Sequence, residues 1–93
     1  MSNYSRGHAF ELRARSRLEE QGWFVVRSAG SKTPVDLVAI KSDQRPLFVQ
    51  AKSGTRSLSK RERAEFTEFA QKLGAVPVLV TRGLKFTVLD EAA

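Results

Sequence analysis

Val35-Asp36-Leu37-Val38-Ala39-Ile40, a polar turn from Lys41 to Pro46, and Leu47-Phe48-Val49-Gln50-Ala51-Lys52 decide how this chain folds. Each apolar run has the length and the Val, Ile, Leu and Phe content of a strand, and the residues between them suit a turn. The stretch therefore predicts a hairpin. Gln50 and Lys52 are two apart, so their side chains leave the second strand on one face. Asp36 sits near the start of the first strand, and a turn between Lys41 and Pro46 sets that start against the end of the second. A carboxyl, an amide and an ammonium then converge at one end of an otherwise apolar hairpin. Polar groups in such a place need partners or a ligand, and this set asks for a metal or a phosphate.

Upstream, Ser5 to Gln21 has helical spacing. Phe10, Ala14 and Leu18 share one side, with Ala9 and Leu12 beside them, while Arg6, Arg13 and Arg17 point elsewhere. Gly22 follows as a stop. Glu11 borders the apolar stripe, where Arg15 at i, i+4 is its local partner; the same carboxylate reaches the polar end of the hairpin if the helix packs over it. His8 reads as a surface or DNA-facing residue rather than a general base. Trp23 to Ser28 is rich in β-formers and predicts the first strand. Ala29 to Pro34 is a small-residue loop whose glycine, hydroxyls and Lys32 permit close approach to a phosphate, although plain connecting loops share that composition.

Downstream, Ser53 to Arg63 is basic and serine-rich, and Ser59 with Glu62 forms the S-x-x-E pattern of a helix start. That helix runs to about Leu73, with Ala64, Phe66, Phe69, Ala70 and Leu73 on its buried side and Gly74 ending it. Arg56, Lys60, Arg61 and Arg63 gather near its N-terminus, which fits anion binding better than helix stability; a solvated charged face is the alternative. Val76 to Thr81 suits a strand covered on both faces, and Phe86 to Leu89 a short strand at an edge. The order of helix, three strands, helix and one or two strands predicts an α/β fold, a small mixed sheet flanked by helices.

With 93 residues, 41% of them hydrophobic, the chain makes one domain, 1–93, with a single modest core. Such a chain buries only about 60–65% of its unfolded surface, so self-association adds useful stability. Sixteen Lys and Arg against ten Asp and Glu give a net charge of +6, which favours nucleic acid or an anionic membrane as partner. Neither helix joins a wide apolar face to a continuous basic one, so the membrane fits less well. There is no apolar run of roughly 18 residues and no signal-peptide pattern at the N-terminus. An intracellular, cytoplasmic location is expected. The absence of cysteine excludes a disulfide framework, a thiolate zinc site and a cysteine nucleophile, and a single histidine excludes a His-rich metal site.

Phosphodiester hydrolysis needs an oxygen-ligated divalent cation, an activated water and a cation near the developing charge. Asp36 offers a carboxylate, Gln50 an amide oxygen and Ala51 a carbonyl, a set that magnesium accepts. Lys52 would orient the water or stabilise the charged transition state, and Glu11 would hold a second ion or a metal-bound water.

Gly22-Trp-Phe-Val-Val-Arg-Ser-Ala-Gly-Ser31, Val35-Asp-Leu-Val-Ala39 and Val49-Gln-Ala-Lys52 closely resemble the archaeal-type Holliday-junction resolvases. These belong to the PD-(D/E)xK nuclease superfamily, with a restriction-endonuclease-like core. The resemblance runs from about Gly7 to Val88 and is most specific at Arg27 to Ser31. It implies that Glu11 is the helix acid, Asp36 the central metal ligand, Lys52 the catalytic lysine and Ser31 a loop hydroxyl near the scissile phosphate. Arg27 and Lys32 would contact the DNA backbone, and Arg6, Ser28, Arg56, Lys60 and Arg61 complete the candidate DNA contacts. The implied protein is a homodimer acting on four-way junctions with Mg²⁺, for which Mn²⁺ substitutes, and it uses no small-molecule cofactor. Trp23, Phe66 and Phe69 are assigned to the core or dimer interface rather than to stacking on unpaired bases.

Two departures stand out. Gln50 replaces the glutamate of the resolvases, which removes a negative ligand and weakens metal binding; the Q-x-K form occurs in Mrr-type restriction nucleases. Val35 separates Pro34 from Asp36. The competing expectations are an Mrr-like or repair nuclease on branched or modified duplex, and a DNA-binding module with a weakened nuclease centre.

Overall fold

A computed structural model describes residues 3–28, 33–54 and 58–89, with side chains from residue 7 onward. The elements are α1 (Asn3–Glu20), β1 (Phe24–Arg27), β2 (Leu37–Ile40), β3 (Leu47–Lys52), α2 (Lys60–Lys72), β4 (Val76–Thr81) and β5 (Lys85–Val88). The predicted hairpin is β2 against β3, with Leu37 opposite Val49 and Ala39 opposite Leu47. Five strands form one sheet in the order β1-β2-β3-β4-β5, and only the β3–β4 pair is parallel. Parallel neighbours cannot be joined by a tight turn, and α2 supplies their crossover.

The period-2 alternation of the strands sorts two cores. Val25, Leu37, Ala39, Val49, Val78 and Val80 face Phe10, Ala14 and Leu18 of α1. On the other face Val35, Leu79 and Leu89 meet Leu58 and Phe66, with Val38, Phe48 and Phe69 partly buried beside them. Beyond Val38 this face of β1 and β2 has no such cover among the described residues. Phe24 is 68% exposed there, Val26 45% and Ile40 48%.

Both helix boundaries follow from end chemistry. The Ser59 hydroxyl accepts from the Glu62 N–H at 3.1 Å, and the Glu62 carboxylate accepts from the Ser59 N–H at 2.9 Å. This reciprocal capping is worth on the order of 1 kcal/mol. At the end of α1, Gly22 takes φ +95°, the left-handed region that glycine enters without a Cβ penalty. Lys41, from the β2–β3 turn, closes over this corner. Its Nζ donates to the Gln21 carbonyl at 2.7 Å and lies 5.3 Å from the centre of the Trp23 ring.

Four helical positions differ from the expected buried stripe. Ala64 is exposed because two residues turn roughly 200° round a helix, which sets it nearly opposite Phe66. Leu73 keeps the phase of Phe66 and Ala70 but is 57% exposed, since it borders an open apolar groove with Val38, Phe48 and Phe69. Ala9 and Leu12 are exposed too: the stripe of α1 that meets the sheet is only as wide as Phe10, Ala14 and Leu18. Thr67 is buried in α2 instead, at 5% exposure.

Candidate active site

Asp36 stands one residue before β2, pinned by its backbone on both sides. Its N–H donates to the Val49 carbonyl at 2.8 Å, and its carbonyl accepts from the Ser28 N–H at 2.9 Å. Regular β2–β3 pairing stops at Leu37 and Val49. The Ala51 N–H beyond that point donates to Oδ2 of Asp36 at 2.8 Å. The side chain thus takes over where the ladder ends, which fixes the carboxylate at the end of β3 beside Lys52.

Burial pushes the Asp36 carboxyl above the ordinary carboxylate value, and the Ala51 N–H opposes that rise. The negative charge of Glu11 adds to the upward push, while Lys52 and Arg27 pull downward. Glu11, Arg27, Asp36, Ala51 and Lys52 therefore form one electrostatic group. α1 carries Glu11 to it, as its packing over the sheet required.

The partner of Glu11 is not the local Arg15. Arg27 Nε donates to Glu11 Oε1 at 2.9 Å, and both side chains are largely shielded. Arg15 pairs instead with Glu19 at 3.1 Å. Alternation along β1 accounts for the difference: Val25 faces α1, so Arg27, two residues on, faces it as well. That signal was present in the sequence once α1 was placed on this face.

Gln50 looks elsewhere. Its Oε1 is buried and has no hydrogen-bond partner among the described residues. The side chain lines a cleft of about 430 Å³ with Thr33, Pro34, Glu62, Glu65, Phe66 and Phe69. Nothing in the sequence marks Thr33 or Glu65 as lining residues, and Glu62 is marked there only as a capping acid. Ser28 is half-buried, and Lys60 and Arg61 are exposed in the first turn of α2. Arg61 pairs with Glu65 at 3.3 Å. Ser31, Lys32 and Arg56 lie outside the described residues, as does the side chain of Arg6.

The chemistry of these donors suits a hard divalent cation. Two carboxylates and a carbonyl are oxygen ligands at the Asp36 end of the sheet, and the Gln50 amide oxygen, in the neighbouring cleft under α2, is a further oxygen that has no hydrogen-bond partner among the described residues. With glutamine at position 50, the described residues contain no group of three or more His, Cys, Asp or Glu able to hold a metal.

A mixed five-stranded sheet with a helix on each face, carrying a helix acid, an aspartate and a strand-ending lysine at one end, defines an α/β core of the restriction-endonuclease-like kind that the sequence resembled. The chain belongs to the archaeal Holliday junction resolvase (Hjc) family, whose model matches residues 2–90. It is similar to the crossover junction endodeoxyribonuclease Hjc of Methanocaldococcus jannaschii, with 30% identity over 82 residues. The matched segment is 85% of this chain and spans 60% of that relative's length. The fold is that of Archaeoglobus fulgidus Hjc, a Holliday junction resolvase, at a TM-score of 0.72 and 24% identity, over 89% of this chain and 77% of the other. Among the described residues no helix is long and apolar enough to cross a membrane.

Proposed function

We propose that this chain is a metal-dependent, structure-selective endonuclease that cuts four-way DNA junctions by phosphodiester hydrolysis, and that residues 1–93 act as one nuclease domain. The observation that carries this reading is the Asp36 carboxyl, held by the Ala51 N–H between Glu11, Arg27 and Lys52. Asp36, Glu11 and the Ala51 carbonyl would hold Mg²⁺ or Mn²⁺, joined by the Gln50 amide oxygen once its side chain turns out of the α2 cleft, and the ion would supply Lewis acidity and an acidified water. Lys52 stabilises charge on the scissile phosphate, and Ser31 contacts the same phosphate. Arg27 has two duties: it fixes Glu11, and it faces the DNA backbone together with Arg6, Ser28, Lys32, Arg56, Lys60 and Arg61. The chain works in the cytoplasm on DNA.

Symmetric cutting of two opposed strands needs two centres related by a two-fold axis, which a homodimer supplies. Phe24, Val26, Ile40 and Leu73 offer an apolar face of the kind that marks an interface rather than scattered surface residues.

The test is incubation of a synthetic four-way junction with wild type, Asp36→Ala and Lys52→Ala, with and without Mg²⁺ or Mn²⁺. Junction binding is expected to survive in both variants while nicking disappears. Full activity in both variants ends the assignment. Parallel assays on flaps and plain duplex distinguish a junction resolvase from an Mrr-like or repair nuclease.

The glutamine at position 50 favours one other reading, a DNA-binding module whose nuclease centre is weakened. Turnover by wild type in Mn²⁺ excludes it.

A further inference from the structure

The sheet register extends the cationic end of the site past Lys52. Lys52 lies opposite Thr81 of β4, and Thr81 lies opposite Lys85 of β5. Lys52, Thr81 and Lys85 therefore form one row across the sheet. Adjacent strands are about 4.8 Å apart, so the backbone of Lys85 stands roughly 10 Å from that of Lys52. Alternation places all three on the same face, because Phe48 and Leu79 turn toward α2 while Phe86 turns toward α1.

The turn that joins β4 to β5 is tightly built. Gly83 at φ +85° and Leu84 at φ +56° reverse the chain within three residues, and the Leu84 side chain packs on the core under α1. Arg82 and Lys85 are both exposed, and neither forms an ion pair among the described residues. Arg15, Arg17 and Arg61, by contrast, each pair with a glutamate of their own helix. Two cations without an ion pair among the described residues, one in the row of Lys52 and one in the turn beside it, in a chain of net charge +6, repel one another unless a polyanion neutralises them.

We propose that Arg82 and Lys85 form a second phosphate-binding ledge, which holds the DNA strand next to the phosphodiester placed at Asp36 and Lys52. The inference rests on the nuclease reading above. A separation of roughly 10 Å matches about three nucleotides at 3.4 Å of rise each. The ledge contacts backbone only, so it positions the strand without reading its bases.

The experiment measures equilibrium binding to a four-way junction in EDTA, so that cleavage plays no part, over a range of salt concentrations. Wild type is compared with Arg82→Ala/Lys85→Ala, and with Arg45→Ala/Lys72→Ala, which removes equal charge from the opposite end of the sheet. Loss of two phosphate contacts lowers the slope of log affinity against log salt by about 2 and weakens binding roughly 60-fold at about 0.1 M salt. The control pair keeps the wild-type slope, and all three proteins keep the same melting temperature. An unchanged slope in the ledge variant, or an equal loss in the control, overturns the inference while the nuclease reading stands. Failure of wild type to bind any DNA overturns both.

Discussion

Arg27 Nε stands 2.9 Å from Glu11 Oε1, tying the last residue of β1 to the middle of α1 beside Asp36. The two side chains are 24% and 20% exposed, so water cannot easily replace either partner. Arg27→Ala leaves Glu11 half-buried and unpaired next to a second carboxylate. A loss of about 1–3 kcal/mol is expected at neutral pH, measured by urea unfolding. Adding Glu11→Gln to the same variant restores part of it. A single variant as stable as wild type removes the structural role given to this pair.

The raised pKa of Asp36 has a definite sign. The folded chain holds this proton more tightly than the unfolded chain, whose value is near 3.8. The resulting stabilisation is full below that value and is lost as pH climbs through the higher folded one. At neutral pH the ionised carboxylate opposes folding. Asp36→Asn keeps an oxygen for the Ala51 N–H and removes the charge. In metal-free buffer it is expected to melt above wild type at neutral pH, with the gap closing as pH falls toward 3.8. A gap that is absent or constant with pH contradicts the account.

Metal should reverse that order. A cation bound at a hundredfold excess over its Kd stabilises the folded state by about 2.7 kcal/mol, so Mg²⁺ raises the melting temperature of wild type and leaves Asp36→Asn where it was. Gln50→Glu adds a carboxylate where the buried amide oxygen has no partner among the described residues. It is expected to lower the half-saturating Mg²⁺ concentration roughly tenfold, because affinity for such ions tracks ligand charge, and to destabilise the metal-free protein. Thermal melts across a Mg²⁺ titration test all three proteins. Unchanged metal dependence in Gln50→Glu rules out position 50 as a ligand.

Phe24→Asp places a charge in the uncovered face of β1. With Phe24 already 68% exposed, the fold of one chain changes by only about 0.5 kcal/mol. The proposed dimer is expected to dissociate, as seen by sedimentation, and the proposed paired cutting to give way to single nicks. A variant that stays dimeric moves the interface elsewhere.

The strands were legible because each carries a local signal. Val76 to Thr81 reads as a strand from end to end, and the hairpin is marked by its turn, so Asp36 and Lys52 came together before any tertiary information. Ser59 and Glu62 marked the start of α2 for the same reason, since capping is a contact within four residues. The Glu11–Arg27 pair was not legible, because a local competitor, Arg15, looked equally good until α1 was set against β1. The exposure of Leu73 was hidden as well: helical phase says which way a side chain points, not whether anything lies there to cover it. Gln50 shows the same limit, since alternation fixed its face but not the cleft beneath α2 that it enters.

Lys41 fastens the far end of α1 through the Gln21 carbonyl and the Trp23 ring, and this makes the helix a lever. Glu11 sits nine residues before Glu20, about 14 Å along the rod, so a tilt of about 5° at that hinge swings its carboxylate by roughly 1 Å. Displacements of roughly that size at a reacting centre slow chemistry on the order of a hundredfold. Lys41 thus anchors the opposite end of the helix that carries Glu11.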